Sequence, residues 1–360
     1  MSNERGPAHG VMEGKGAYNR HATLPADGAA LALPLLERAI TDVEIDSGSQ
    51  PIVIADYGSS QGKNSLAPMQ IAVRGLRKRI GQSRAISVFH IDQPSNDFNS
   101  LFEVLHADPN RYALDESDVY PAAIGKSFYE KVLPAGSVHL AWSSYAAVWL
   151  SRVPTLIPGH LISVRSTGSV RAEFERQAAC DWEAFLALRA RELRPGGRLI
   201  VVLPGIADDG SAGLESLFDH ANGVLEEMVA DDAITSEERS RMVLGAHPRR
   251  TRDLLAPFER NGKFEQLNVE DCALSEVQDA PWDQYVRDRK EEALATKRTL
   301  FFRSIFVPSL ACALSPTRAL NGESPGAFAD QLEQRLKRRL ASWPLEMRSF
   351  VQTLLLAKRE

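Results

Sequence analysis

Cysteine is scarce in this chain: Cys180, Cys272 and Cys312 are the only three among 360 residues, far apart and odd in number. That excludes a disulfide framework and close zinc-ligand spacing, and it fits a reducing compartment. No run approaches the eighteen apolar residues of a membrane-spanning helix. The first thirty residues show no apolar core behind a basic start, so no secretory leader is expected. Excess positive charge is missing as well, since 42 Lys plus Arg against 47 Asp plus Glu leave −5. Such a balance offers no electrostatic footprint for nucleic acid or an anionic membrane. No Gly-x-Ser-x-Gly elbow surrounds Ser143 or Ser144, no catalytic triad is evident, and no sequence repeat appears. What remains is an ordinary globular composition, 44% hydrophobic and 25% charged. The length suits one large α/β domain or two smaller ones. The expectation is a cytoplasmic protein.

The chain is organised around Ile52-Val-Ile-Ala-Asp-Tyr-Gly-Ser-Ser-Gln-Gly-Lys-Asn64. A short apolar run reads as a buried parallel strand, and the apolar spacing from Leu66 to Ile80 reads as a helix. Gly58 and Gly62 between them let backbone approach a ligand, while the helix N-terminus offers free N–H groups. Ligands of open α/β sheets sit at this end of the strands, so a nucleotide-like cofactor is expected. Ala85 to Asp92 is a second strand ending in an acid, a two-acceptor partner for ribose hydroxyls. The dinucleotide fingerprint requires Gly-x-Gly-x-x-Gly and an acid about 20 residues on. Here the loop is Gly58-Ser-Ser-Gln-Gly62, and Asp92 lies 34 residues beyond Gly58, which counts against a nicotinamide cofactor.

Further strands are expected at 137–145, 198–204 and 264–272. Helices are expected at 29–40, 96–105, 173–193, 214–229, 251–261, 328–340 and 345–358, with a polar tail over residues 1–11. Alternating strands and helices argue a mainly parallel sheet. Basic clusters at Arg74, Arg77 to Arg79 and Lys337 to Arg339 read as solvated helix faces.

Several blocks, in order, resemble the SABATH family of S-adenosylmethionine-dependent methyltransferases, which act on carboxylates such as salicylate and benzoate and on purine nitrogens. They are Ile54-Ala-Asp-Tyr-Gly-Ser-Ser-Gln-Gly-Lys-Asn-Ser65, Ile91-Asp-Gln-Pro-Ser-Asn-Asp-Phe-Asn-Ser-Leu-Phe102, Gly125 to Pro134, Ser137 to Pro154, and Gln177 to Arg198. The resemblance implies a Rossmann-like class I methyltransferase fold: a mainly parallel seven-stranded sheet with a helical cap. It implies a lid segment at 1–40, a cofactor-binding core at 41–204 and 262–315, and a cap at 205–261 and 316–360. It also implies S-adenosyl-L-methionine as cofactor, a small-molecule carboxylic acid as substrate, and a homodimer.

Position by position, the resemblance puts Asp56 and Asn64 around the methionine part of the cofactor, with Gly58 in the cofactor-binding loop. Asp92 falls on its ribose hydroxyls with Gln93 beside it, and Ser127 and Phe128 flank the adenine. Tyr18 closes over the cofactor, and Ser143 belongs to the same group. Trp149 matches an indole donor to the substrate carboxylate, and Tyr145 lies in the same block. Pro25 stands where the family has a substrate-orienting glutamine, leaving His21 and His247 as candidate donors, and Trp142 replaces a histidine. Methyl transfer from a sulfonium to an already ionised carboxylate needs no general base and no metal. A nicotinamide-dependent oxidoreductase and a non-catalytic binding protein on the same scaffold are the alternatives.

Overall fold

The computed structural model describes residues 10–82, 84–114, 116–316, 318 and 324–359. Most of the tail expected over residues 1–11 lies outside the described residues.

One sheet runs through the molecule. Its strands are β1 (Ile52–Tyr57), β2 (Ile86–Asp92), β3 (Val119–Gly125), β4 (Val138–Ser144), β5 (Leu193–Pro204), β6 (Lys263–Phe264), β7 (Leu267–Val277) and β8 (Ser349–Lys358). The order across the sheet is β3-β2-β1-β4-β5-β8-β7-β6. The first five are parallel, whereas β8 is antiparallel to both β5 and β7. Seven long strands match the expected sheet, and the two-residue β6 adds an edge piece through a hairpin with β7. Because the chain moves outward from β1 through β2 to β3 and then crosses back to β4, the order reverses between β1 and β4. Such a switch point leaves a crevice at the carboxyl ends of the two strands.

Side chains alternate across β1, so Ile52 and Ile54 enter one layer while Ala55 and Tyr57 enter the other. The first layer packs Leu36, Met69, Leu76 and Leu101 from helices α3 (Leu33–Asp42), α4 (Leu66–Ile80) and α5 (Phe98–Ala107). The second packs Trp182, Phe185 and Leu186 from α6 (Gly168–Glu192). A third cluster joins α7 (Glu215–Ala230), α11 (Glu291–Ala311) and α12 (Pro325–Ser342), and it includes Tyr18, Val148 and Trp149. The shorter helices are α1 (Ala17–His21), α2 (Thr23–Ala30), α8 (Ser236–Arg241), α9 (Thr251–Leu255) and α10 (Ala280–Asp288).

One expectation is corrected. Residues 345–358 were expected as a helix, yet Ser349–Lys358 is β8, buried along its whole length between β5 and β7. A strand covered on both faces has no alternation to show, and Leu354-Leu355-Leu356-Ala357 also suits a helix by propensity. β8 thus lies in the sheet although its range falls in the expected cap, and α11 packs with α7 and α12 although its range falls in the expected core. The edge strand β3 escaped the sequence reading because Pro121 interrupts it, a residue that sheets tolerate at edges.

Two buried polar networks fix the carboxyl end of β1. The Asp56 carboxylate accepts from Ser65 Oγ at 2.5 Å and meets His90 Nδ1 at 3.0 Å, and His90 Nε2 reaches Tyr112 Oη at 2.9 Å. On the other face Tyr57 Oη donates to Glu192 at 2.6 Å, and the Arg189 guanidinium pairs with the same carboxylate.

Candidate active site

Two cavities meet at the crevice between β1 and β4, and Met12, Tyr18, Tyr145 and Trp149 form the wall they share. The first lies under the loop after β1 and is bounded by Gly58, Ser60, Asp92, Gln93, Asn96 and Phe128. Gly58 has φ +88°, and a Cβ there would stand 2.1 Å from Ala146 Cβ. Any other residue would close the crevice, so the strand-to-loop turn requires glycine. Ser60 also adopts a left-handed φ, +48°. That turns its backbone N–H onto Asp92 Oδ2 at 2.7 Å, while Gln93 N–H meets Asp92 Oδ1 at 2.7 Å. Asn96 Nδ2 donates to Ser60 O at 2.8 Å and holds the loop down. Each Asp92 oxygen therefore keeps lone-pair capacity directed at the cavity. Burial pushes the Asp92 carboxyl up to about 6, against the pull of those two N–H groups.

Ser60 Oγ, Ser59 Oγ and Gln61 Oε1 are buried without a hydrogen-bond partner. Orphaned hydroxyls and a carboxylate with free lone pairs, beside the Phe128 ring, suit a ligand with vicinal hydroxyls and a flat heterocycle. S-adenosylmethionine fits that description.

The second cavity spans about 900 Å³ between atoms, open solvent included. Val148, Ile162, Leu214, Phe218, Ile305 and Phe306 supply most of its wall. The Trp149 indole packs on Phe306 at a centroid distance of 6.2 Å. Backbone at Gly10 covers it so closely that a Cβ there would lie 3.0 Å from the indole ring. Tyr145, held at φ +56°, lines this junction, and its buried hydroxyl, without a partner, lies against Gly28. A left-handed conformation in a non-glycine residue at a cavity junction is strain of the kind that functional sites retain.

Of the residues singled out from the sequence, Tyr18, Gly58, Asp92, Gln93, Phe128, Tyr145 and Trp149 line these cavities. The others do not. Asp56 is engaged in the His90 network, Ser143 Oγ donates to Tyr57 O at 3.0 Å, and the Ser127 hydroxyl accepts from Tyr129 N–H. Asn64 donates to Ala22 O at 3.1 Å and meets the Tyr18 hydroxyl, so it positions Tyr18 from behind. His21 lies outside both cavities. His247 is buried beneath the second one, and its Nδ1 meets Ser163 Oγ at 2.8 Å. Burial lowers its pKa to about 3, leaving a neutral ring that touches the cavity only through Ser163. Pro25 lines the second cavity, whereas Trp142 is buried in the sheet's first layer. Sequence reasoning missed Ser60, Met12 and the Phe218–Phe306 wall. Ser60 was signalled by its place between Gly58 and Gly62; the wall carried no signal beyond apolar spacing. Among the described residues no group of three or more His, Cys, Asp or Glu could hold a metal ion. Nor is any helix among them long and apolar enough to cross a membrane.

The N-terminal segment ties the two cavities together. Glu13 N–H donates to Ser304 O on α11 at 2.9 Å, and Lys15 N–H donates to Asp97 at the start of α5 at 2.7 Å. Gln61 Nε2 reaches Glu13 O at 2.6 Å, so the loop after β1, this segment and α11 form one chain of contacts.

Known proteins share both sequence and fold. The profile of the SAM dependent carboxyl methyltransferase family matches residues 8–341. Methyltransferase LUC1 from a Fusarium species is 30% identical over 254 residues, 69% of this chain and 66% of the relative. The chain thus spans just under two thirds of that relative's length. Indole-3-acetate O-methyltransferase 1 of Arabidopsis thaliana is 26% identical over 280 residues, 70% of this chain and 72% of the relative. A solved loganic acid methyltransferase with SAH superimposes with a TM-score of 0.76 at 22% identity, covering 97% of this chain and 99% of that one. With the profile spanning nearly the whole chain, the protein belongs to the family of S-adenosylmethionine-dependent carboxyl methyltransferases.

Proposed function

We propose that the protein transfers a methyl group from S-adenosylmethionine to the carboxylate of a small-molecule acid, giving the methyl ester. One observation carries this reading: a polar cavity built on Asp92 and an apolar cavity share a wall made of Tyr18, Tyr145 and Trp149. Asp92, Gln93, Ser60 and Phe128 would hold the cofactor, and Trp149 with Tyr145 the acceptor carboxylate. When bound, S-adenosylmethionine would supply an electrophilic methyl: a carboxylate oxygen bonds to the methyl carbon in line, the carbon–sulfur bond breaks, and S-adenosylhomocysteine leaves as the thioether, with no proton moved.

The chain's own part is to align the acceptor and exclude water. An acid of pKa about 4 is ionised at neutral pH, so no base has to be built. Neither cavity lining contains a Lys, Arg or His among the described residues. Trp149 and Tyr145 each bring a neutral donor to a site walled off by Met12 and Gly10. A positioned neutral donor orients the carboxylate without pulling charge off its nucleophilic oxygen. Rate enhancement then comes from proximity and desolvation. The segment at residues 10–25 serves as the lid that closes both cavities. We extend the proposal to a homodimer located in the cytoplasm, the dimer being checked by light scattering.

The test is ester formation from methyl-labelled S-adenosylmethionine and a panel of carboxylic acids, read by mass spectrometry. Ester from any acid supports the reading. Tight S-adenosylhomocysteine binding with no ester from any acid would point to a non-catalytic binding protein, and thermal stabilisation by NAD alone to an oxidoreductase.

A further inference from the structure

We infer that the acceptor is a monocarboxylic acid with an apolar body, and that Glu215 excludes acids carrying a second anionic group. This rests on the methyl-transfer reading above and names the substrate class of the same site.

The apolar lining is the first argument. Val148, Ile162, Leu214, Phe218, Ile305 and Phe306 form most of the wall, from the loop after β4 to α7 and α11. An apolar body on the acid gains dispersion contact along this wall, whereas a polar body loses water there without replacement.

Charge is the second argument. A buried carboxylate without a partner is costly, and no Lys, Arg or His lines this cavity among the described residues. Trp149, Tyr145 and Tyr18 line the junction with the polar cavity, and Ser163 and Ser349 are the hydroxyl side chains in the rest of the lining. Away from it, Pro25 brings no donor and the Ser163 hydroxyl is engaged by His247. The single ionisable acid in the lining is Glu215, at the first position of α7. Its two oxygens accept from Ala212 N–H and Gly213 N–H, both at 2.6 Å. These bonds fix a negative charge in the wall. A second carboxylate on the acceptor would meet that charge in a site of low polarity and find no cation. The apolar wall rewards added methylenes, while Glu215 penalises an added anion.

The experiment measures kcat/KM for straight-chain monocarboxylic acids of rising length and for the α,ω-dicarboxylic acids of equal length. Isothermal titration with S-adenosylhomocysteine runs alongside. Among monoacids kcat/KM is expected to rise about threefold to fourfold per methylene until the cavity is full. Each diacid is expected to fall at least a hundredfold below its monoacid, and Glu215→Gln to narrow that ratio about tenfold. Should Glu215→Gln fail to fold, Glu215→Ser, whose hydroxyl keeps an acceptor at the start of α7 without the charge, is expected to narrow the ratio likewise, and an unchanged ratio overturns the role of Glu215. Esters formed best from short polar acids, or diacids equal to monoacids, overturn this inference and leave the methyl-transfer reading intact. If S-adenosylhomocysteine binds and no acid is esterified, the methyl-transfer reading itself falls.

Discussion

The Tyr145 hydroxyl lies against the Cα of Gly28: a Cβ at position 28 would stand 2.0 Å from that oxygen. Gly28 sits inside α2, where alanine is ordinarily favoured by about 1 kcal/mol. Here that gain is outweighed, because the tyrosine ring has to leave the junction of the two cavities. Gly28→Ala is therefore expected to lower kcat/KM for the acceptor by at least tenfold while shifting S-adenosylhomocysteine affinity less than threefold. Steady-state kinetics and calorimetry on one preparation check this. An unchanged kcat/KM would show that the Tyr145 hydroxyl does not orient the acceptor.

Asp92 gives the cofactor site a pH dependence whose sign is fixed. Its carboxyl titrates near 6 in the folded protein, above the ordinary value near 4, because burial disfavours the charge. The protonated form thus favours the cofactor-free fold at acid pH, and that contribution is lost as pH rises through about 6. A ligand donating hydroxyls to the carboxylate favours the ionised form, so affinity rises with pH through the same window. S-adenosylhomocysteine affinity is expected to fall up to tenfold per pH unit between about 6 and 5. Asp92→Ala removes hydrogen bonds to a charged group and is expected to weaken binding roughly ten- to a hundredfold at pH 7.5. It should also flatten the pH profile, which calorimetry across pH 5–8 reads directly.

The N-terminal segment is latched to α11 and α12 by Arg303, which pairs with Glu13 at 2.9 Å and with Asp330 and Glu333 on α12. These groups are partly exposed, so the latch contributes at most about 1 kcal/mol and is screened by salt. Arg303→Ala is expected to speed amide exchange over residues 12–21 and to weaken cofactor binding about two- to fivefold. Raising ionic strength from 0.05 to 0.5 M should reproduce most of that loss in the wild type and little in the variant.

The polar cavity was legible in the sequence because its lining is local. A strand, two glycines and an acid at the next strand's end lie within Ile52–Asp92, and each has a backbone reason to stand where it does. The apolar cavity was less so, since Phe218, Leu244 and Ile305 reach it from segments far apart in sequence. Asp56 and Ser143 illustrate a second limit. Both lie at strand ends beside the crevice, yet a buried partner, His90 for one and Tyr57 O for the other, turns each side chain away. Sequence position places a residue near a site, and the packing behind it decides which way it faces. β8 shows the same limit in the fold, for burial on both faces erased the periodicity that separates strand from helix.

Glu192 and Arg189, both fully buried, hold the second layer against β1. One Glu192 oxygen takes the Tyr57 hydroxyl and Arg189 Nε, and the other accepts from the N–H groups of Val132 and Leu133 at 2.7 and 3.1 Å. Arg189 also lies over the Tyr57 ring at 4.1 Å and donates to Phe128 O at 2.7 Å. Through Phe128 this pair reaches the wall of the cofactor cavity. Removing one member leaves the other charge buried, so Glu192→Ala is expected to cost about 3–5 kcal/mol of unfolding free energy in urea titration. Replacing both, as Arg189→Met with Glu192→Leu, removes the stranded charge and should lose clearly less than the two single changes summed. Full recovery is not expected, because the Val132 and Leu133 N–H groups and the Phe128 carbonyl would stay buried without their partners. A double variant as costly as the sum would show that the two side chains act independently, contrary to the shared oxygen seen between them.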